Sequence, residues 1–445
     1  AHHATVHGRF SKDLPARLMA SYQAALADPE MIALGEELAL VTAREADVFL
    51  QDTVTGETSL ISATDTGRAV GGVWPSLSTD GRFLLFYSAS LLLDPSSVTA
   101  GLFQFDRLTG HITRLTSAVH EPAMDGAGTR IAHVSTWEPV PQVATTLLDA
   151  DGDTMLDGWE DFFGLSRWAA GDAALDADGD GLSNVQEFRQ GTHPRGLFTR
   201  LLAEGAAGFF VTTIGLANPN TWTASALLTF QTTAGGSIGK AVTVPAIGGC
   251  TRVDVGSVPG LAAAEFSTRI ESDRPLAVER TMTWDVRAYG GHAETAVAEP
   301  SRTWYLGEGA THSGFDLFYL LQNPGVQAAD AEVTYLLPAP QPPVVKRYAL
   351  PPASRTTIWV NFEDARLGAT DVSAVVRSRN DVPLLVERAM YLGRRGQTYA
   401  AGHAAMGVTA PSTEWVLAEG ATGPYFDLFV LLANPGDADA DVSLR

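Results

Sequence analysis

The chain is 445 residues long, too long for one ordinary domain, and its 45% apolar content can fill several cores and excludes global disorder. Its 51 acidic and 30 basic side chains leave a formal charge of -21, which excludes a nucleic-acid binder with a basic face and a surface that docks on anionic lipid. Glycine and proline, 43 and 24 residues, favour short strands joined by turns, and no apolar run reaches the length of a membrane span.

Near the start, His2, His3 and His7 read as incidental histidines of a chain end rather than a metal cluster, and Leu14–Leu26 has a helical pattern. Residues 28–135 hold a repeat of about 50 residues. Its frame, from Pro75 to Ser88 (PSLSTDGRFLLFYS), reads as a turn followed by a strand. Pro122 to Ser135 follows the same frame with Gly128 in place of Gly81, and Pro29 to Thr42 follows it more weakly with Gly35. Between the frames stand Val48–Asp52 with Thr55-Gly56, and Leu102–Asp106 with Thr109-Gly110. Each predicts a strand, a D-x-x-T-G turn and a second strand, at Ser59–Ser62 and Ile112–Leu115. Four short strands per repeat are the signature of propeller blades. The pattern VFxxDxxTG…PSxSxDGRxxxFxS resembles the TolB-like β-propellers of bacterial envelope and secreted proteins. A closed ring needs at least about four blades, so further blades are expected upstream of Ala1, and residues 1–140 are assigned to a partial propeller.

The charge is concentrated in the neighbouring segment. Residues 149–187 carry nine Asp and two Glu against a single cation, Arg167. Counted from Asp149, the acidic residues Asp149, Asp151, Asp153, Asp157 and Glu160 fall at positions 1, 3, 5, 9 and 12. Asp176, Asp178, Asp180, Asn184 and Glu187 repeat that spacing 27 residues later. It is the ligand order of an EF-hand-type calcium loop, in which a hard cation gathers about six to eight oxygens. Alternate residues of a tight loop aim three carboxylates at one centre. The main-chain carbonyl of Met155 or Leu182 adds a fourth donor, and the final Glu closes the shell from the following helix. Gly181 permits the sharp turn of the second loop, whereas Thr154 stands at that place in the first, so the second is expected to be the more regular. Two sites for Ca2+ are expected, with short helices at Trp159–Phe163 and Asn184–Arg189. The competing reading is a solvated acidic linker. The segment 141–197, closed by Gly191-Thr192-His193-Pro194, resembles the thrombospondin type 3 and EF-hand-like repeats of bacterial secreted proteins.

From Gly196 onward a longer repeat begins. Leu202-Ala203-Glu204-Gly205-Ala206 recurs at Leu306–Ala310 and at Leu417–Ala421, and Asn218-Pro219 recurs as Asn323-Pro324 and Asn434-Pro435. Val278-Glu279-Arg280 recurs as Val386-Glu387-Arg388, and Gly291-His292-Ala293 as Gly402-His403-Ala404. Each full copy has seven or eight short apolar runs separated by Gly, Pro, Asn and Asp, which predicts an antiparallel β-sandwich of immunoglobulin-like size. The copies are assigned to 198–302, 303–413 and a truncated 414–445. The pattern WYxxEG…NPG…VERxMY…GGH resembles a tandem repeat of uncharacterised secreted bacterial proteins, which implies architecture and not an activity. The fold class expected is therefore mainly β: propeller blades, a calcium segment with short helices, then tandem sandwiches.

The repeated polar residues have a structural reading. Glu204, Glu308 and Glu419 would cap backbone N–H groups at a turn, and Glu279–Arg280 and Glu387–Arg388 would pair across strands. The functional reading is a ligand groove lined by the Trp-Tyr and His positions. Gly235-Gly236-Ser237-Ile238-Gly239 fits G-x-S-x-G, yet it joins two predicted strands and so reads as a hairpin loop, not a nucleophile elbow. With one cysteine, Cys250, neither an internal disulfide nor a thiolate zinc site can form. No catalytic residues are expected. The first functional reading is a non-catalytic, extracellular or cell-surface bacterial protein whose link between propeller and stalk is stiffened by calcium. The alternatives are the accessory region of a secreted propeller hydrolase whose catalytic part lies upstream, and sandwiches that bind a glycan or a surface partner.

Overall fold

The computed structural model describes residues 4–8 and 46–444, apart from 53–55, 95–96, 98, 118, 136–141, 234, 285–289, 395–396, 419, 425–426 and 437. His2, His3, the Leu14–Leu26 pattern and the Pro29–Thr42 frame lie outside the described residues, and His7 falls on the first strand.

The N-terminal part is built of three antiparallel sheets. Strands β1 (Ala4–Gly8), β2 (Val48–Asp52) and β3 (Thr58–Leu60) form the first, in sequential order. Strands β4 (Val73–Leu77), β5 (Phe83–Ser88), β6 (Gly101–Asp106) and β7 (His111–Ser117) form a four-stranded meander, the plan of a propeller blade. Strands β8 (Val119–Met124), β9 (Arg130–Ser135) and β10 (Gln142–Leu147) form the third. The turns are held by the residues that mark the repeat. Ser78 Oγ accepts from Phe83 N–H at 2.9 Å and donates to Asp80 at 2.6 Å, while Gly81 takes φ 73°, which a Cβ would resist. Asp106 of the D-x-x-T-G turn accepts from Leu108 N–H and takes both nitrogens of Arg82 at 3.0 Å. Pro75, expected in a turn, lies instead in β4. That strand is at the sheet edge and its register shifts between Val73 and Ser76, where a missing N–H is tolerated.

Strand β5 is buried on both faces, and the period of two sends its residues to different cores. Leu84 and Phe86 pack with Val48, Leu50, Phe103 and Phe105. Phe83 and Leu85 pack against the acidic segment.

That segment holds two short helices, α1 (Asp157–Phe163) and α2 (Asn184–Gln190). Each stops at a left-handed glycine, Gly164 (φ 72°) and Gly191 (φ 73°). Ser183 and Gln186 form a capping box on α2.

Two β-sandwiches complete the described strands. The first comprises β11 (Phe198–Leu202), β12 (Phe210–Asn218), β13 (Ala224–Thr232), β14 (Ser237–Val244), β15 (Gly249–Asp254), β16 (Phe266–Ser272), β17 (Ala277–Trp284) and β18 (Gly290–Thr295). The second comprises β19 (Thr303–Leu306), β20 (Phe315–Asn323), β21 (Ala329–Leu336), β22 (Val344–Leu350), β23 (Ser354–Trp359), β24 (Ser373–Ser378), β25 (Leu385–Arg394) and β26 (Gln397–Met406). The sheets run β11-β16-β13-β14 and β15-β12-β17-β18, and then β19-β24-β21-β22 and β23-β20-β25-β26, so both copies share one eight-stranded topology. The repeated Asn has a structural task. Asn218 Nδ2 donates to Val244 O at 3.0 Å, and Asn323 Nδ2 to Leu350 O at 3.2 Å, tying a turn to the end of a neighbouring strand. Residues 411–444 contain no strand among those described, and Trp415, Val416, Leu417 and Leu428–Leu432 are exposed. In the full copies the matching segments pair with strands whose equivalents do not occur in these 32 residues of the third.

The modules meet in a common core. Met155, Leu156, Trp159, Phe163 and Phe188 of the acidic segment pack with Phe83, Leu85 and Leu102 of the blade and with Leu227 and Ala241 of the first sandwich. The segment is therefore a wedge between two β-modules, not a free spacer.

Candidate metal centre

Each loop wraps its first carboxylate around its own backbone. Asp149 accepts from Gly152 N–H (2.7 Å) and Thr154 N–H (3.1 Å), and Asp176 accepts from Gly179 N–H (2.7 Å) and Gly181 N–H (3.0 Å). Asp151 and Asp178 accept from residues 153 and 180, both at 3.3 Å. Asp153 and Asp180 accept from the N–H of Met155 and Leu182, both at 2.8 Å. The two loops thus share one conformation. The expected difference between them survives as strain: Thr154 is held at φ 80°, where Gly181 takes 97°. A left-handed backbone costs a side-chain-bearing residue about 1–2 kcal/mol.

These bonds turn the carboxylates inward. Ligand oxygens of Asp149, Asp151 and Asp153 lie within 4.8 Å of one another, as do those of Asp176, Asp178 and Asp180. The closing glutamates come from the helices, as their position predicts. Glu160 is 0% exposed and neither carboxylate oxygen has a hydrogen-bond partner. Burial, then the charges of Asp153, Asp151, Asp172 and Asp157, push its carboxyl up to about 8. Glu187 is 1% exposed and its Oε2 is without a partner. Burial, then Asp178, Asp180 and Glu271, push it likewise to about 8. A protein seldom buries carboxylate oxygens unsatisfied, because the desolvation cost falls due unless a cation or donor meets them.

The ninth positions behave differently. Asp157 caps Ala150 N–H at 2.8 Å and pairs with Arg167 at 2.8 Å, so its oxygens are already engaged. Asn184 donates from Nδ2 to Asp172 O at 2.9 Å, leaving its buried Oδ1 without a partner. Asp172 is the residue that spacing missed. It lies on a short 3-10 turn between the loops, and its carboxylate joins Asp153 and Glu160 within 4.8 Å. Its Oδ1 is buried without a partner. No periodic signal marks Asp172; only its place as the one acidic residue between α1 and the second loop could have raised it. Glu271 of β16 also approaches the second loop. Burial raises its carboxyl foremost, while Arg269 at 2.6 Å opposes the rise. All-oxygen donors in two tight loops suit a hard divalent cation.

The repeated polar residues of the sandwiches do something other than expected. Glu204 does not cap backbone N–H groups; its carboxylate accepts from Arg280 (2.9 Å) and the Tyr391 hydroxyl (2.7 Å). Glu387 pairs not across its own sheet but with Arg280 of the preceding copy, at 2.6 Å. Trp304 is core, its Nε1 donating to Leu384 O at 2.7 Å, and His292 and His403 stand beside these ion pairs. Gly235 to Gly239 lies at the β13–β14 hairpin, as expected. Cys250 is free and exposed.

No family model matches the chain, and no curated protein does. Among solved structures, it is similar to Thermotoga maritima 1070 at 16% identity and a TM-score of 0.22, covering 25% of this chain and 97% of that one. It is also similar to a putative TolB from Agrobacterium tumefaciens at 13% identity and a TM-score of 0.19, covering 51% of this chain and 66% of that one. Neither likeness is strong enough to place the chain in a family. The fold itself defines a class: a mainly β, multi-module chain with a blade-like meander, an acidic wedge and two sandwiches. Among the described residues no helix is long and apolar enough to cross a membrane.

Proposed function

We propose that this is a non-catalytic, calcium-binding modular protein of the bacterial exterior, in which Ca2+ locks the wedge between the blade and the sandwiches. The first site would draw on Asp149, Asp151, Asp153, the Met155 carbonyl, Glu160 and Asp172. The second would draw on Asp176, Asp178, Asp180, the Leu182 carbonyl, Asn184 and Glu187. The observation that carries this reading is the pair of buried glutamates with unsatisfied oxygens, Glu160 grouped with Asp153 and Asp172, and Glu187 under the charges of Asp178 and Asp180. Bound calcium would offset the mutual repulsion of each loop and stiffen a junction that both β-modules share. Extracellular sites of this kind need only about 10⁻⁴–10⁻³ M calcium. Calorimetric titration of the full chain should show two binding events, and one should vanish in Asp176→Ala/Asp178→Ala. Absence of heat, or binding unchanged in that variant, would remove the proposal.

A further inference from the structure

The two sandwiches dock through one polar cluster. Arg280, 0% exposed, holds Glu204 of its own repeat at 2.9 Å and both oxygens of Glu387 of the next at 2.6 and 3.0 Å. Glu387 also accepts from Glu204 N–H at 2.8 Å, and the Tyr391 hydroxyl reaches Glu204 at 2.7 Å and His292 at 3.0 Å. One repeat therefore supplies Glu, Arg and His, and the next supplies Glu and Tyr from one strand.

The second repeat carries the same Glu, Arg and His at matching places: Glu308, Arg388 and His403. Arg388 Nη1 lies 2.6 Å from Glu308 Oε2 and 3.1 Å from its carbonyl oxygen, as Arg280 lies on Glu204. Its Nη2 meets His403 Nδ1 at 2.7 Å, where Arg280 meets a second carboxylate. The Glu204 side chain is 5% exposed under the second sandwich, whereas that of Glu308 is 39% exposed.

We propose that this face of the second sandwich is the seat of a further repeat unit, the one that residues 414–444 begin, which adds a carboxylate to Arg388 and a phenol to Glu308. A second molecule cannot offer these groups from its own second repeat, because its Glu387 and Tyr391 are already committed to Arg280 and Glu204. Its first repeat has the carboxylate, Glu279, but lacks the phenol. Thr283 stands where the second has Tyr391, and Cys250 stands where Arg355 contacts the first sandwich. The third repeat returns to the second repeat's residues at three places, with Ala433 at the place of Gln322: Asp427, Phe429 and Leu431 match Asp316, Phe318 and Leu320, where the first has Val211, Thr213 and Gly215. Leu320 is buried with Leu201 and Ala203 of the first sandwich. Leu431 already passes the equivalent place, its carbonyl oxygen 3.9 Å from where a Cβ on Gly307 would stand. Docking of this kind is independent of calcium.

The test completes the third unit in cis by appending a copy of residues 335–413 after Arg445 of the full chain. Hydrogen exchange at the amides of 303–308 should slow at least tenfold, and Glu→Gln at the appended position matching Glu387 should reverse most of that protection. Unchanged exchange at 303–308 beside a protected, folded third unit overturns the proposal. Should the appended unit show no protection of its own, a cysteine pair decides. Gly307→Cys with Leu431→Cys, in a Cys250→Ser background of the 445-residue chain, forms a disulfide under mild oxidation if the seat is as described. Failure to form it overturns the proposal.

Discussion

Replacing Glu160 by glutamine should raise stability in chelator, and calcium should erase most of that gain. In chelator, the buried carboxyl titrates near 8, against 4.5 for the free group, because burial and four neighbouring Asp oppose its charge. Between those values the folded protein holds a proton that the unfolded chain has released, so stability falls as pH rises through the window. At about 1.4 kcal/mol per pH unit, the loss reaches about 4 kcal/mol by pH 8. Glutamine fills the same volume without a charge and removes that loss. With calcium at about a hundred times its Kd, the ion contributes about 2.7 kcal/mol per site, and glutamine forfeits most of it by removing a two-oxygen ligand. The assay is thermal unfolding followed by tryptophan fluorescence, reported by Trp159 in the shared core, at pH 8 in EGTA and in calcium. The variant should melt several degrees higher than the parent in EGTA, and calcium should narrow the gap to about 1 kcal/mol, because only the parent gains the ion's contribution. A gap that calcium does not narrow, or a chelated parent whose stability is flat from pH 5 to 8, would refute the reasoning.

Three further outcomes rest on the geometry. Asp172→Asn should weaken the first calcium event at least tenfold in calorimetry while leaving the second, whereas Asp157→Asn, at a residue already engaged by Arg167, should weaken it less. Thr154→Gly should relieve the left-handed strain and raise stability by about 1 kcal/mol in chelator, measured by urea unfolding. Glu387→Gln should cost about 3 kcal/mol, because it leaves the fully buried Arg280 with a single carboxylate, and it should leave calcium affinity unchanged.

Much of this architecture is legible in the sequence because it is written in local patterns. Helix α1 begins two residues before its expected start and ends as expected at Gly164, while α2 runs one residue past its expected end to Gly191. The sandwich strands follow the apolar runs, as β20 at Phe315–Asn323 and β25 at Leu385–Arg394 show. What escapes is long-range. Asp172 has no motif, and it reaches the first loop only because a 3-10 turn brings it back. The cross-strand partner expected for Glu387 is wrong because its true partner, Arg280, lies in another repeat, 107 residues away. Spacing within a segment records local geometry; it carries no address for a contact made after two modules have docked.

The shared core has a consequence for where this protein can be divided. The borders drawn by repetition, near residues 141 and 197, run through this core. Cutting there would bare Trp159, Phe163 and Phe188 on one piece and Leu227 and Ala241 on the other, all of them under 10% exposed in the whole chain. A sandwich excised at its repeat boundary would carry a sticky apolar scar and tend to self-associate. The smallest unit that keeps those surfaces covered spans blade, loops and first sandwich together, so an insertion or exchange of modules would have to carry all three.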